Sequence, residues 1–504
     1  MSYFLMEERV IFRNLSPIDH RYSISEHDLF EALVPWLSEE AVIHACAKAE
    51  IALIKAHLTL RGSPSQSLLA TLDTVGSSIK SEAVYAEEEK TQHNIRALVN
   101  VMKTLVPPEV APLVHLGATS VDILDTALAY RMRGVTQGVV LPLLIALETA
   151  LCDLAEREAE TPQVGRTHGQ HAVPITLGFA MAEYVSRLGK SILEIQERST
   201  KLRGKLAGAV GAYNATSVLV RDPEALERLY LAELGLEASE HSTQLVEPEY
   251  LLRLLLEFNT AFGIIANLAD DLRNLQRTEI AEVRENFSSQ QVGSSTMPQK
   301  RNPWNSEHVK SLWKAFSPRV MTFYMDQISE HQRDLTNSAS QRFIADYVAG
   351  FCQAVHRMTG VIQGLGVNRD RLLANLRSGG APASEAGAEG SGVVGGVLAE
   401  PAYILLAESG VSDAHEVIRK ITLKAEQEKL TFAQALAKEG DTLDRIGAQM
   451  AKLGLVSQAS EAPLFFEKPE RYRGLSVQKA RSLAEKYRTL MSTLVQKDGQ
   501  ESTV

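Results

Sequence analysis

The chain has 504 residues, 45% of them hydrophobic and 23% charged, which is typical of a soluble globular protein with more than one domain. Its formal net charge of −10 argues against a general attraction to nucleic acid, so a polyanionic ligand would need arginines that reverse the charge locally. The N-terminus is too acidic for a signal peptide, and no uninterrupted apolar stretch approaches the length of a membrane span. We therefore expect neither a nucleic-acid partner nor a membrane partner.

The cysteines indicate where the protein resides. Cys46, Cys152 and Cys352 lie in apolar stretches with helix-like spacing, and they lack the spacing of metal ligands. This pattern predicts buried free thiols in a reducing cytoplasm.

The first part of the chain predicts short helices. Residues 1–24 have no regular pattern, whereas residues from about 26 to 106 have helical periodicity that is broken at 61–64. A long helix is then predicted from about Asp122 to Pro162, because Leu144, Leu147, Leu151 and Leu154 fall on one face.

Four more long helices follow in the middle of the chain. Their predicted starts lie near Pro174, Pro248, Pro303 and Ser338. Because strand-like alternation is almost missing, the pattern favours an all-α fold with a central bundle of long helices. Several of these helices are long enough to suit a core that is shared between subunits.

The last part of the chain begins with a break. Residues 378–396 are rich in Gly, Ala and Ser, which indicates a linker or a loop. A smaller helical domain is predicted from Leu398 to about Arg488, and the tail from about Lys497 is predicted to be disordered. We therefore divide the chain into three domains, 1–118, 119–375 and 376–504.

Residues 291–303, which we call the signature segment, carry the pattern with the most chemical content. They contain the string GSSTMPQKRNP, with Ser294 and Ser295 in a flexible arm. Asn302 is a good N-cap and Pro303 a good first helical residue, so a helix is predicted to start there. The peptide N–H groups of that start, together with Lys300, favour an anion.

A second string, GRTHGQHA at residues 165–172, places two histidines three residues apart just before a predicted helix. The signature segment resembles that of the fumarase/aspartase superfamily, whose members split C–N or C–O bonds and release fumarate. The GRTHGQHA string is similar to that of the adenylosuccinate lyase family within it. The resemblance implies a homotetramer whose active sites are shared between subunits, and it implies no metal and no organic cofactor.

Elimination of fumarate needs a base, an anion cradle and an acid, held around the bond that breaks. The resemblance implies that Ser294 is the base and His168 the general acid, with Glu307 pairing with that histidine. Lys300 and the helix start at Asn302 would supply the positive field that activates a serine. The resemblance further implies that Lys300, Asn302, Thr119 and Ser120 hold the substrate carboxylates.

Five other strings fit the same family. They begin at Ser16, Thr91, His115, Ser242 and His331. By resemblance, the residues that bind the nucleotide are Arg21, Tyr22, His93, Arg333, Ser338 and Arg342, and Asn94 and Gln244 also bind the substrate. Arginines suit this role because their planar donors bind two phosphate oxygens at once. The implied reactions are elimination of fumarate from adenylosuccinate, giving AMP, and from the succinylcarboxamide ribotide SAICAR, giving AICAR.

The sequence departs from the family pattern at a few positions. Asn94 stands where the family has Asp, and Gln332, Thr336 and Asn337 replace Glu, Ser and His. Three alternatives therefore stay open. One is a lyase for another N-substituted aspartate, and another is a carboxymuconate cycloisomerase. The third is a non-catalytic scaffold, which the presence of Ser294, Lys300, His168 and Glu307 disfavours.

Overall fold

The structure is a computed structural model that describes residues 11–62, 64–287, 293, 295–379 and 393–501. It is 69% helical with few strands, which confirms the all-α fold class. Ser294 and most of the Gly/Ala/Ser-rich break lie outside the described residues.

The N-terminal helices agree with the predicted periodicity. They are α1 (Arg21–Ser25), α2 (His27–Leu37), α3 (Glu39–Arg61), α4 (Gln66–Ser78), α5 (Ser81–Thr91) and α6 (Asn94–Leu105). Helix α3 ends where the break was predicted, at Gly62, whose φ of 153° closes the helix. The expectation of irregular chain up to residue 24 is wrong for α1, which follows a 3-10 turn capped by the Ser16 hydroxyl.

Helices lie at all five places where the sequence predicted long ones, but the one after Pro303 has only 13 residues. The central set is α7 (Ser120–Val135), α8 (Leu141–Arg157), α9 (Leu177–Thr200), α10 (Asn214–Ser217), α11 (Pro223–Ala232), α12 (Glu249–Leu275), α13 (Trp304–Phe316), α14 (Val320–Met325) and α15 (Ile344–Gln363). A π-helical turn, Thr136–Val140, joins α7 to α8 just before Pro142. Since proline lacks an N–H, a widened turn at this point keeps the helix continuous.

The C-terminal region is helical, as predicted. Its helices are α16 (Arg369–Ser378), α17 (Ala399–Glu408), α18 (Ala414–Gln427), α19 (Phe432–Ala437), α20 (Gly440–Lys452), α21 (Ala462–Phe466) and α22 (Ser476–Glu501). Because α22 continues to Glu501, the prediction of disorder from Lys497 is wrong for that stretch. Helix α22 thus continues through Gly499 to Glu501.

Three small sheets accompany the helices in the described chain. Strands β1 (Pro162–Thr167) and β2 (Gln170–Thr176) form an antiparallel hairpin. Strands β3 (Arg203–Gly204) and β4 (Glu237–Ala238) pair in parallel, and β5 (Val283–Arg284) pairs antiparallel with β6 (Gly366–Val367). The hairpin was not predicted, and it turns out to carry the histidine string.

The chain divides into two compact units. The first unit contains the described residues up to Ile145 and those of Lys190–Ile265 and Ser311–His356. The second unit contains the described residues of Ala146–Gly189, Ala266–Lys310 and Arg357–Val504. In the first unit, α12 and α15 meet through fully buried aromatic rings, with Phe258 and Phe351 stacked at 5.4 Å. The three-domain division stays a prediction.

The second unit has a core built mainly from its C-terminal helices. Its buried members include Leu376, Leu398, Leu406, Ile418, Phe432, Ile446 and Phe466. The rings of Phe432 and Phe466 meet edge to face at 6.1 Å. Aromatic and branched side chains at helical spacing thus hold these short helices together.

Two helices, Ser120–Arg157 and Glu249–Leu275, are long and apolar enough to cross a membrane by length and composition alone. The expectation that no stretch approaches this length is therefore wrong. However, 61% and 56% of their most apolar windows are buried inside the structure, as in the core helices of soluble proteins. Burial accounts for the apolar composition of both helices.

The prediction of buried free thiols is confirmed. Cys46, Cys152 and Cys352 are all buried and unpaired. Burial raises the pKa of each thiol to about 12, so these cysteines stay in the unreactive thiol form at neutral pH.

A buried carboxyl in α8 gives a pH-dependent prediction. Glu148 is 0% exposed, neither of its oxygens has a hydrogen-bond partner in the described chain, and burial raises its pKa well above the ordinary value. The folded chain therefore keeps a proton that the unfolded chain releases above about pH 4.3, so stability falls as the pH rises past that value. We expect Glu148→Gln to raise the melting temperature above that of the wild type at pH 8, and to raise it by a smaller amount at pH 5.

The measurement is a set of thermal melts between pH 5 and pH 8. The difference in stability between variant and wild type should widen by at most about 1.4 kcal/mol per pH unit. The exposed Glu428 provides the control as Glu428→Gln, which removes an exposed ion pair and should lower stability only slightly, by the same amount from pH 5 to pH 8. Parallel curves for Glu148→Gln and wild type would mean that Glu148 is ionised in the folded chain.

Candidate active site

The predicted general acid lies in the turn of the β1–β2 hairpin. His168 and Gly169 form a two-residue turn, with φ values of 54° and 73° between Thr167 and Gln170. Positive φ at both positions suits the right-handed twist of a hairpin. The side chain of His168 is exposed. The prediction that the histidines directly precede a helix is wrong, since α9 starts only at Leu177.

A buried carboxylate that the sequence analysis missed anchors this hairpin. Glu282 is 0% exposed and accepts hydrogen bonds from three side chains. Arg166 donates to both of its oxygens at 2.5 and 3.1 Å, while Gln163 and Asn375 each donate at 2.9 Å. Bidentate, charge-assisted bonds of this kind fix the strand two residues before His168.

The second histidine of the string lies beside a large cavity in the second unit. The cavity has a volume of about 1560 Å³, and its lining includes Arg166, His171, Arg187, Arg277, Arg371 and Lys479. Burial, and next the positive charge of Arg166, lower the pKa of His171. His171 is therefore neutral at pH 7, which makes it unsuited to hold an anion by charge.

The helix after the signature segment begins one residue later than predicted. Helix α13 starts at Trp304, and the side-chain amide of Asn302 donates to the Gly293 carbonyl at 2.9 Å. The first N–H groups of the helix are bound by Glu285, whose carboxylate accepts those of Asn305 at 3.1 Å and Ser306 at 2.8 Å. A carboxylate of the chain itself thus occupies the predicted anion site.

The two charged side chains with proposed roles in and just after the signature segment are exposed. The side chains of Lys300 and Glu307 are exposed, and Asn302 is half-buried. Ser294, the predicted base, lies outside the described residues. Neither a hydrogen bond nor an ion pair joins His168 to Glu307 among the described residues of one chain.

The predicted carboxylate-binding residues Thr119 and Ser120 lie at the start of α7 in the first unit. Asp122 holds this start, because its buried carboxylate accepts the Thr119 N–H at 2.7 Å. The same carboxylate accepts the N–H groups of Ala207 and Gly208 at 3.2 Å and forms a fully buried ion pair with Lys205. The start of α7 is therefore preorganised by charges that the sequence analysis did not single out.

His115, a few residues before Thr119, was not among the predicted site residues. The backbone of His115 has a φ of 63°, and its ring contacts the fully buried Glu50 through Nδ1 at 2.6 Å. Glu50 also accepts the His115 N–H at 3.0 Å. A glutamate inside the apolar pattern of α3 was the signal that could have revealed this pair, since buried carboxylates need partners.

The predicted nucleotide-binding residues lie in several segments of the first unit. His93 caps α6, with Nδ1 accepting the Arg96 N–H at 3.3 Å, and Asn94 begins that helix. The Gln244 N–H donates to the Gln332 carbonyl at 3.3 Å, which brings Gln244 close to the segment containing Arg333. The exposed residues of the set are Arg21, His93, Asn94, Ser338 and Arg342, whereas Tyr22, Gln244 and Arg333 are half-buried.

In the described part of the chain, no group of three or more His, Cys, Asp and Glu side chains is placed to hold a metal ion. Among the described residues, the second unit offers the exposed imidazole of His168 and the exposed ammonium of Lys300, and the first unit offers the helix start at Thr119 and Ser120. These groups are suited to acid–base chemistry on an anionic substrate.

Comparison with known sequences identifies relatives along most of the chain. A family model described as Lyase matches residues 20–315. Adenylosuccinate lyase from Pyrococcus abyssi is 31% identical over 475 residues, which are 93% of this chain and 96% of that protein. Adenylosuccinate lyase from Pyrococcus horikoshii is 32% identical with the same coverage.

Comparison with solved structures shows the same architecture. A fumarate lyase from Mesorhizobium sp. BNC1 superposes with a TM-score of 0.73 at 21% identity, covering 91% of this chain and 97% of that one. A 3-carboxy-cis,cis-muconate lactonizing enzyme from Pseudomonas putida gives a TM-score of 0.74 at 24% identity, with the same coverage. At these identities the likeness shows a shared fold and no more.

Proposed function

This chain belongs to the lyases of the fumarase/aspartase superfamily, and from that membership we propose that it is an adenylosuccinate lyase. The reaction is elimination of fumarate from adenylosuccinate, which leaves AMP, and from SAICAR, which leaves AICAR. Similarity to adenylosuccinate lyases over 96% of their length is the observation that carries this proposal. The enzyme would act in purine nucleotide biosynthesis in the cytoplasm.

The proposed mechanism assigns one role to each group. Ser294 removes the proton from the carbon next to a substrate carboxylate, and Lys300 and Asn302 stabilise the dianion that results. His168 then protonates the nitrogen of the leaving purine, so that the C–N bond breaks and fumarate departs. Thr119 and Ser120 at the preorganised start of α7 hold a carboxylate of the substrate.

We propose that the enzyme is a homotetramer in which each active site takes segments from several chains. The exposure of His168 and Glu307 supports this, since side chains with these roles need partners. Within the described part of one chain they are not bonded to each other, so the pair would form between subunits. Glu307 would there fix the tautomer of the imidazole.

The nucleotide phosphate gives a testable prediction. The exposed Arg21 at the start of α1 is proposed to bind it, an interaction that is equally strong in the ground state and the transition state. Arg21→Ala should therefore raise the apparent KM at least about tenfold while kcat changes little. Arg445→Ala, an exposed arginine of α20, is the matched control. An unchanged KM would place the phosphate elsewhere.

A substrate panel tests the proposed activity against its alternatives. The purified protein is assayed with adenylosuccinate, SAICAR, other N-substituted aspartates and a carboxymuconate, and kcat/KM is compared. The proposal expects the two purine substrates to be preferred by orders of magnitude. Preference for another aspartate or for the carboxymuconate would overturn the assignment, and lack of turnover with every substrate would favour a non-catalytic protein.

A further inference from the structure

Glu285 connects the stretch before the signature segment with the stretch after it. Glu285 itself precedes the segment, and its carboxylate contacts Asn305 and Ser306, which follow the segment. One oxygen accepts the Ser306 N–H at 2.8 Å and the Ser306 hydroxyl at 2.6 Å. The other accepts the Asn305 N–H at 3.1 Å and the Asn305 side-chain amide at 3.0 Å. With four donors and only 7% exposure, this carboxylate has no room for a ligand.

The position of this carboxylate explains why the contact is specific. The first N–H groups of a helix have no partner inside it, and they carry the positive end of the helix dipole. An anion is favoured there, and Glu285 supplies it from inside the chain. A neutral side chain of the same size would make only some of these hydrogen bonds, and without the added strength that the charge gives them.

Two further side chains contact residues 301–306 or Glu285. Gln276 accepts the Glu285 N–H at 2.8 Å and donates to the Arg301 carbonyl at 3.4 Å. Arg357 donates to the Asn305 side-chain oxygen at 3.0 Å and lies 5.1 Å from the centre of the Trp304 ring. Residues 301–306 are thus held by Gln276, which directly follows α12, by Arg357 of α15, and by Glu285, which directly follows β5 and makes the most bonds.

The contacts on residues 301–306 position side chains that are proposed to be catalytic. Lys300 lies directly before residues 301–306, Asn302 lies within them, and Glu307 lies directly after them. We propose that Glu285 is a positioning residue, which sets Lys300, Asn302 and Glu307 for elimination without touching the substrate. This inference rests on the proposed function, because the three groups are assigned through it.

The kinetic consequence follows from where these groups act. Lys300 and Asn302 stabilise charge that develops during the reaction, so their misplacement affects the transition state more than substrate binding. A displacement of about 1 Å can cost about 100-fold in rate. We therefore expect Glu285→Gln to lower kcat about 10- to 100-fold, with KM changed by less than about threefold. A purely structural role would lower the melting temperature but leave kcat per folded enzyme unchanged.

The experiment uses the full-length enzyme with adenylosuccinate. Glu285→Gln is compared with Ser306→Ala, which removes only one donor and should cause a smaller fall in kcat. Glu470→Gln is the matched control, because Glu470 is a half-buried, ion-paired carboxylate of the same unit, bonded to Arg377 at 2.7 Å. Melting temperatures and the amount of folded enzyme are measured for every variant.

Hydrogen exchange of peptides covering residues 301–307 provides a second measurement that does not depend on turnover. The proposal expects faster exchange there in Glu285→Gln than in wild type or Glu470→Gln. Wild-type kcat in Glu285→Gln, or in Ser306→Ala if the former does not fold, overturns the inference. Unchanged exchange overturns it as well. If the wild type does not turn over adenylosuccinate, the proposed function fails, and faster exchange would still support Glu285 as the residue that holds this region.

Discussion

Replacement of His168 by alanine is expected to lower kcat for adenylosuccinate by about 100- to 10,000-fold, the usual contribution of one general acid. The leaving nitrogen would then depart without a proton from the enzyme. The exposed position of His168 in a hairpin turn predicts that the melting temperature changes little, since no buried contact within the chain is lost. A large kinetic effect with a small stability effect would distinguish the acid from a structural histidine.

The matched control for this variant is His241→Ala. His241 is also an exposed histidine in a non-helical segment, and it has no proposed role. It should keep wild-type kcat and KM. If His168→Ala also keeps wild-type turnover, another residue donates the proton, and the assignment by resemblance is wrong.

The largest expected effect on stability is that of Lys205→Met. Lys205 and Asp122 are both fully buried, and methionine would leave the Asp122 carboxylate without its counter-charge. Loss of one partner of a buried ion pair costs about 3–5 kcal/mol, so the free energy of unfolding should fall by that amount. Chemical denaturation followed by circular dichroism measures it.

Two controls accompany the Lys205 variant. The exposed pair of Lys438 and Glu428, at 2.7 Å with 51% and 40% exposure, should lose at most about 1 kcal/mol in Lys438→Met. The double variant Lys205→Met with Asp122→Asn should regain part of the loss, because no lone charge stays buried. Equal stability of Lys205→Met and wild type would show that the backbone N–H donors alone suffice to stabilise the buried Asp122 carboxylate.

The long helices could be predicted because one local rule decides them. Apolar side chains at 3–4 residue spacing must be buried on one face, which sets the course of α8, α9 and α12 regardless of distant partners. The start of α13 was predicted to within one residue, since proline at a helix start is a local signal too. The family, and with it the fold, followed from the strings of the signature segment.

The hairpin could not be predicted from the same rules. Its turn consists of His168 and Gly169, a pair that is not a usual signal for a two-residue turn. Pro174, which suggested a helix start, pairs with Val164 inside the sheet. The strand pairing therefore depends on contacts such as those of Glu282, which hold the hairpin from another part of the chain.

The charges that hold the candidate site were also beyond prediction. Glu282 and Lys205 find partners 119 and 83 residues away, and no local pattern indicates such pairs. Glu285 occupies the helix start that the sequence assigned to a substrate anion. Resemblance proposes which groups react, whereas the buried charges around them became visible only in three dimensions.

The central claim is that this chain eliminates fumarate from adenylosuccinate. The most direct test incubates the purified protein with adenylosuccinate and follows the ultraviolet absorbance of the substrate while fumarate and AMP are quantified. We predict equimolar fumarate and AMP, at a rate that falls at least about 100-fold in His168→Ala. Intact adenylosuccinate after prolonged incubation with folded wild-type protein would contradict the claim.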